Sequence, residues 1–336
     1  MRQEIDMVDL KTSYMGLKLL NPIIVASSGL TDSHSKIKRC EQAGAGAVVL
    51  KSIFEEQFLV SADIPEEGIN VYPEAVDYMR GGGLLEYAPH DLVEMIEQAK
   101  REVKIPIIAS INCQTPKLWP SFARQLQEAG ADGLELNISI LPIDLSAPSK
   151  DYEEYHLEIL RAVKKEVTIP VSVKLTTQLT SVPYIGQRLA EESCDALVLF
   201  NWFLVPDIDV RNLKTRSLKG KGNFYQSLRW VALLSGRVEC DVAASGGIQN
   251  AEDVVKQILA GASAVQVCTL FYQRGIEETR NLLDGLEAWM TEHQYATIDD
   301  FRGELSFRKQ ELSLKDLGEA ASYFRAQYLK AYSGTD

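Results

Sequence analysis

The sequence contains no CxxC pair, and its five cysteines stand far apart, at 40, 113, 194, 240 and 268. An odd count without paired spacing excludes a disulfide scaffold and offers no zinc or iron–sulfur ligand set, so no metal site is expected. Free thiols in a reducing cytoplasm are the expectation. Histidine is scarce, with four in 336 residues, at 34, 90, 156 and 293. All four fall in predicted helices or at helix starts and do not cluster. They read as surface or capping residues, and no Ser-His-Asp set emerges. Long apolar runs are missing too: nothing approaches the roughly 18 residues of a membrane-spanning helix. The opening MRQEIDMVDLKTS is too polar for a signal peptide. Finally, no basic stripe relieves a net charge of −12. Nucleic acid and anionic membrane are therefore poor partners, and a small-molecule ligand is expected instead. Any phosphate must be gripped locally, by backbone N–H groups and a few placed cations.

What the sequence does have is an alternation. Short, nearly all-apolar runs recur at 22–29, 47–52, 106–112, 133–139, 170–176, 196–201, 241–247 and 264–269. Unbroken apolar runs mean strands buried on both faces, as in a parallel sheet. Between and after them, segments 33–44, 89–103, 119–130, 151–167, 182–193, 224–234, 250–260 and 276–292 carry apolar residues at helical spacing. Eight strand–helix units in this order predict an α/β fold, a (β/α)8 TIM barrel, in preference to an open doubly wound sheet. Several helices end in AGA, at 43–45, 129–131 and 260–262, where glycine serves as a left-handed stop and not as a cofactor contact. The chain reads as one domain, 1–336, with the barrel over about 21–292. Residues 7–20 predict a hairpin turning at Met15–Gly16 that plugs the N-terminal end. Insertions follow strand 2 (53–88) and strand 6 (202–223), where barrels place substrate-handling parts. A C-terminal tail, 293–336, reads as a helix over 314–332 packed outside.

Polar residues stand where the apolar runs end: Ser27 and Ser28, Lys51 and Ser52, Asn112, Asn137 and Ser139, Lys174, Asn201, Ser245, and Thr269. That end of a barrel faces the active-site mouth. Lys51 and Lys174 each follow an apolar run, where a lysine is costly unless it meets an anionic partner in a polar cleft. Two lysines and several amides suit an electron-rich heterocycle or a phosphate. Ser245-Gly246-Gly247 ends the seventh strand, and its glycines let backbone N–H groups approach an anion. Barrels commonly bind phosphate between the seventh and eighth loops. Cys268 in the eighth reads as a small packing residue. The same lysines would also suit a non-redox, phosphate-binding lyase or isomerase using one of them as base or Schiff-base former.

Taken together and in order, YMGLKLLNPIIVASSG, AGAGAVVLKS, AGADGLELNIS, IPVSVKLT and ASGGIQNAEDVVKQILAGASAVQVCT resemble the dihydroorotate dehydrogenase family, including the related flavin domain of dihydropyrimidine dehydrogenases. The likeness spans roughly residues 7–290. It implies an FMN-containing oxidoreductase of pyrimidine metabolism that passes hydride from substrate to flavin, and a homodimer. Ala26, Ser27 and Ser28 match the first flavin-contacting loop, and Lys51 the lysine near flavin and substrate. Asn137 matches the fourth-strand asparagine, with Asn112 one strand before it. Lys174 matches the lysine that polarises the flavin ring, and a positive charge there favours the anionic reduced ring. Gly222, Ser245, Gly246, Gly247, Cys268 and Thr269 fall in the phosphate-side loops, and Asn201 matches a substrate-contacting asparagine.

The substrate half departs from the pattern. The family reads asparagine-leucine-serine-cysteine-proline-asparagine after the fourth strand, with serine for cysteine in one class, and that side chain is the base. Here the stretch is Asn137-Ile138-Ser139-Ile140-Leu141-Pro142, and isoleucine accepts no proton. Ser139 is the nearest catalytic candidate beside Lys51, with Asp144 and Ser146 further along. The family's asparagine-serine-methionine-glycine-leucine appears as Arg80-Gly81-Gly82-Gly83-Leu84. Arg80, Gly83 and Leu84 would meet substrate, with Arg80 suited to a carboxylate or phosphate. Trp202 stands where a small polar residue is usual and suits stacking on a flat ring. Such a chain is expected to be an FMN-dependent dehydrogenase of altered substrate, or a flavin-binding protein without turnover. Any iron–sulfur cluster would sit on another subunit.

Overall fold

The computed structural model describes residues 8–54, 89–113, 119–138, 140, 142–202, 205–218 and 223–307. Along the chain, β1 (Thr12–Tyr14) and β2 (Leu17–Leu19) form a hairpin, followed by β3 (Ile23–Val25) and α1 (His34–Gln42). Next come β4 (Ala47–Val49), β5 (Ile53–Phe54), α2 (Pro89–Glu102), β6 (Ile107–Cys113), α3 (Trp119–Glu128), β7 (Gly133–Ile138) and α4 (Ser149–Lys164). The second half runs through β8 (Val171–Thr176), α5 (Val182–Glu191), β9 (Ala196–Asn201), β10 (Val205–Asp209), β11 (Lys214–Leu218) and α6 (Phe224–Leu234). It ends with β12 (Asp241–Ser245), α7 (Ala251–Ala260), β13 (Ala264–Val267), α8 (Thr269–Arg274) and α9 (Glu278–His293).

Eight parallel strands close into a cylinder in the order β3-β4-β6-β7-β8-β9-β12-β13, with β13 pairing back onto β3. The predicted TIM barrel is therefore present. β5 rejoins the cylinder beside β6 after a break at residues 50–52. Helices start and stop on local signals. Asn250 Oδ1 accepts from Asp253 N at 3.0 Å at the head of α7, a cap worth about 1 kcal/mol. Gly261 ends the same helix at φ 113°, as the AGA repeat predicts.

The period-2 alternation of the strands sorts residues into two cores. Outward residues such as Val25, Val48, Leu136 and Val173 join the helix-facing core. Inward residues Ile24, Ala47, Val49, Ile108, Ala196, Val198, Ala243 and Ala264 form a second cluster with Tyr14, Met15 and Leu19 from the hairpin. The hairpin is thus the expected plug, filling one end of the cylinder with apolar side chains. It is tied to the barrel wall as well: Met15 N donates to Oδ2 of Asp241, the first residue of β12, at 2.7 Å.

Two features depart from the sequence reading. The insertion after the sixth barrel strand carries its own antiparallel hairpin, β10–β11, registered Val205↔Leu218 to Asp209↔Lys214. His156 is not a surface residue. It lies on the inner face of α4 with 2% of its surface exposed, among Leu157, Leu160 and Val163. The tail beyond 307 and most of the insertion after strand 2 lie outside the described residues.

Candidate active site at the C-terminal rim

Above the apolar plug, the interior of the cylinder turns polar. The alternation that points Ile108 inward carries Ser110 and Asn112 to the same face, and that of Gly133 carries Glu135 and Asn137. Register then sets Asn112 beside Asn137, and Asn137 beside Lys174, on three consecutive strands. Three of the predicted site residues are therefore direct neighbours.

Lys174 is buried, and so are its partners. Its Nζ lies 2.9 Å from Gln266 Oε1 and 3.2 Å from Glu135 Oε1. Gln266 Nε2 in turn donates to Glu135 Oε2. The three side chains close a ring of contacts across the barrel from β7, β8 and β13. Glu135 and Gln266 are each 1% exposed. The anionic partner that a lysine in this place demands is thus Glu135, which sequence reasoning passed over. The signal was present, since a glutamate two residues before Asn137 in an apolar run shares its inward face. A buried pair of this kind adds little stability compared with an apolar core, so its presence points to a task for the charge.

A second polar chain enters from the first loop. Ser52 Oγ lies 3.0 Å from Ser27 Oγ and 2.7 Å from Ser110 Oγ, and Ser52 N donates to Ser27 Oγ at 2.9 Å. Ser28 Oγ donates to the Ala26 carbonyl at 3.0 Å, and Ala26 N to the Val267 carbonyl at 2.9 Å. The first loop is thereby fastened to the eighth. Lys51, half-buried, precedes Ser52 at the end of the second barrel strand.

Around the seventh strand, Gly246 and Gly247 take positive φ, 101° and 81°. A Cβ on Gly247 would lie 2.7 Å from Phe224 N, and one on Gly246 would strike the Trp202 indole. Only glycine fits here. Trp202 thus leans on the glycine loop, with its indole Nε1 buried and unpartnered, while Asn201 sits at the end of β9 in register with Thr176. Asn137 Oδ1 is likewise buried without a partner. A buried donor and a buried acceptor left open demand an explanation. Cys268 and Thr269 stand at the start of α8, and burial pushes the Cys268 thiol up, away from the reactive thiolate.

Arg80, Gly83, Leu84, Ser139 and Gly222 lie outside the described residues. In the loop after β7, Ile140 packs against the helix-facing core. Asp144 accepts from Ser146 Oγ at 2.7 Å and Ser146 N at 2.8 Å, which hold its carboxyl below the usual range. That makes Asp144 a weak proton acceptor at neutral pH.

Residues 9–290 match the family model described as dihydroorotate dehydrogenase. The catalytic subunit of dihydroorotate dehydrogenase B (NAD(+)) from Thermoplasma acidophilum is 32% identical, covering 88% of this chain and 99% of that protein. The protein of the same designation from Methanosarcina mazei is 31% identical over 87% of this chain and 96% of its own length. That from Methanocaldococcus jannaschii is 28% identical, with 88% and 97% covered. Barrel, interior charge and sequence agree, and the chain belongs to the dihydroorotate dehydrogenase family.

Proposed function

We propose that this chain is an FMN-dependent oxidoreductase that takes a hydride from a planar, dihydropyrimidine-like or carboxylate-bearing substrate at the barrel rim. The observation that carries the reading is the buried Lys174–Glu135–Gln266 ring, with Asn137, whose Oδ1 is open, in register with Lys174, and a second open polar atom, Trp202 Nε1, just past the end of the next strand. Those features fit a flavin: an acceptor for a ring N–H, a donor for an oxygen, and a cation for the edge that gains charge on reduction. Gly246 and Gly247 suit the phosphate end, because consecutive glycines at positive φ form the kind of turn whose backbone N–H groups can face an anion.

In this reading Ala26, Ser27, Ser28, Asn112, Asn137 and Lys174 hold the ring. Gly222, Ser245, Gly246, Gly247, Cys268 and Thr269 hold the phosphate end. Lys51 faces both ring and substrate, and Arg80, Gly83, Leu84, Asn201 and Trp202 border the substrate. Bound FMN would supply a two-electron acceptor. The protein's part is to place positive charge where negative charge develops and to exclude water. Proton removal falls to Ser139 or to a group on the substrate side, because Ile140 accepts none. The non-redox alternative is weakened by Lys174, whose Nζ is engaged by two acceptors in place of standing free to attack a carbonyl. A homodimer is the expected assembly, and the relatives' designation as catalytic subunits supports a further partner chain.

The test is spectroscopic. The purified protein, or the protein reconstituted with FMN, is expected to show flavin absorption near ~370 and ~450 nm. Failure to retain or bind FMN would overturn the assignment. Lys174→Met should keep the fold and slow flavin reduction by about 10²–10³-fold.

A further inference from the structure

The ion pair inside the barrel is longer than comparable pairs outside it. Lys174 Nζ stands 3.2 Å from Glu135 Oε1, although the two side chains are only 7% and 1% exposed. Two partly exposed pairs on the helical layer, Lys100–Asp132 and Lys164–Asp195, close to 2.8 and 2.7 Å. Those are ordinary separations for a charge-assisted hydrogen bond. Attraction between opposite charges grows as the surroundings lose water. A buried pair left to itself would therefore be the tighter one, and something holds Lys174 off.

Gln266 is placed to do so. The ammonium lies nearer to its neutral amide than to the carboxylate, with Nζ 2.9 Å from Gln266 Oε1. The other end of the amide, Nε2, donates to Glu135 Oε2. The reverse orientation would set NH2 against ammonium and carbonyl against carboxylate, so only one orientation satisfies both neighbours. Depth gives the arrangement a direction. Register aligns Glu135 with Ser172, two residues before Lys174, and aligns Lys174 itself with Asn137. Glu135 therefore branches from the barrel one layer deeper than Lys174 does. An ammonium that closed on the carboxylate would be drawn down, away from the layer of Asn137 and the rim.

We propose that Gln266 is a positioning residue, which holds the Lys174 ammonium off Glu135 and toward the rim and so raises the reduction potential of the cofactor bound there. This role rests on the FMN reading above. A lysine stem is flexible, and its point charge settles on the nearest anion unless a second acceptor competes. A closed pair presents little net charge to its surroundings, whereas a stretched one presents its positive end. Packing does not require an amide at this place: a methionine fills a similar volume, and a buried amide is costly unless both its ends are used.

The test is the potential of bound FMN, read by equilibration with a reference dye, with FMN binding measured first by absorbance. Gln266→Met is expected to bind FMN and to lower the reduced-to-oxidised ratio at a fixed potential about tenfold, which is about 30 mV for a two-electron couple. In a Lys174→Met background the same substitution should change that ratio less than about twofold, because there is no ammonium left to release. If Gln266→Met does not fold, Gln266→Asn decides. It keeps both amide groups but is one methylene too short to span Lys174 and Glu135, and it should shift the potential in the same direction. A wild type that binds no FMN removes the cofactor reading and this role with it. A wild type that binds FMN, with a potential that the Gln266 variants leave unshifted or raise, overturns this role alone. An equal shift with and without Lys174 also overturns it, since Gln266 would then not act through the lysine.

Discussion

Lys174 and Glu135 meet inside the barrel, with side chains 7% and 1% exposed. At that depth water cannot compensate for the loss of either partner. Removing one member of a buried pair leaves an uncompensated charge and commonly costs about 3–5 kcal/mol. Glu135→Gln and Lys174→Met should each show a loss of that order in urea unfolding of flavin-free protein. The double variant should lose clearly less than the sum, because it leaves no orphaned charge. Additive losses would mean that the two residues do not act as a pair. Asn137 calls for a different measurement. Its open Oδ1 has no protein partner to lose, so Asn137→Ala should change apoprotein stability by less than about 1 kcal/mol. FMN affinity should fall about tenfold, as expected for one hydrogen bond. Unchanged FMN affinity in a titration of the variant would remove Asn137 from the cofactor site.

At the scale of elements, α4 gives a pH-dependent prediction. The folded-state pKa of His156 is depressed below its ordinary 6.5 by burial. As pH falls through that value, the unfolded chain takes up a proton that the folded chain refuses. His156 therefore costs no stability above about pH 6.5 and takes stability away below it, by up to about 1.4 kcal/mol per pH unit. Denaturation at pH 7.5, 6.5 and 5.5 should show an acid-side loss in the wild type that exceeds the loss in His156→Gln by about 1 kcal/mol. Parallel slopes for the two proteins would show that the imidazole is not buried in the neutral form.

The same helix shows where the sequence was legible. Its amphipathic period and the strand alternation on either side predict the element, but periodicity does not say which polar residue has been drawn onto the apolar face. His156 was assigned to the surface for that reason. Glu135 is less legible for a different reason, because it lies mid-strand and not at a strand end. The barrel, the plug and the left-handed glycine stops were readable, because each follows from local pattern. The Asn112, Asn137 and Lys174 alignment was readable only in part: strand ends predicted the residues, and register, which depends on pairing across the sheet, made them neighbours.

For the molecule as a whole, the cylinder has two unlike ends, and the polar one depends on the apolar one. Tyr14 and Met15 of the hairpin seal the interior below Glu135, and Tyr14 is fully buried. Burial, followed by the field of Glu135, raises the Tyr14 phenol well above its ordinary value, so it stays neutral beneath the carboxylate. Removing the ring would leave a cavity under the ion pair and admit water to it. Tyr14→Ala is expected to cost about 3–5 kcal/mol, while Tyr14→Phe, which keeps the volume and drops only the hydroxyl, should cost about 1 kcal/mol or less. The effect should also reach the other end of the barrel. Water beneath Glu135 raises the local dielectric and weakens the field that Lys174 presents at the rim. FMN bound to Tyr14→Ala should then be harder to reduce than in Tyr14→Phe or the wild type, as read by equilibration with a reference dye. A Tyr14→Ala protein with lowered stability but an unshifted flavin potential would show that the plug supports the fold alone and has no bearing on the site above it.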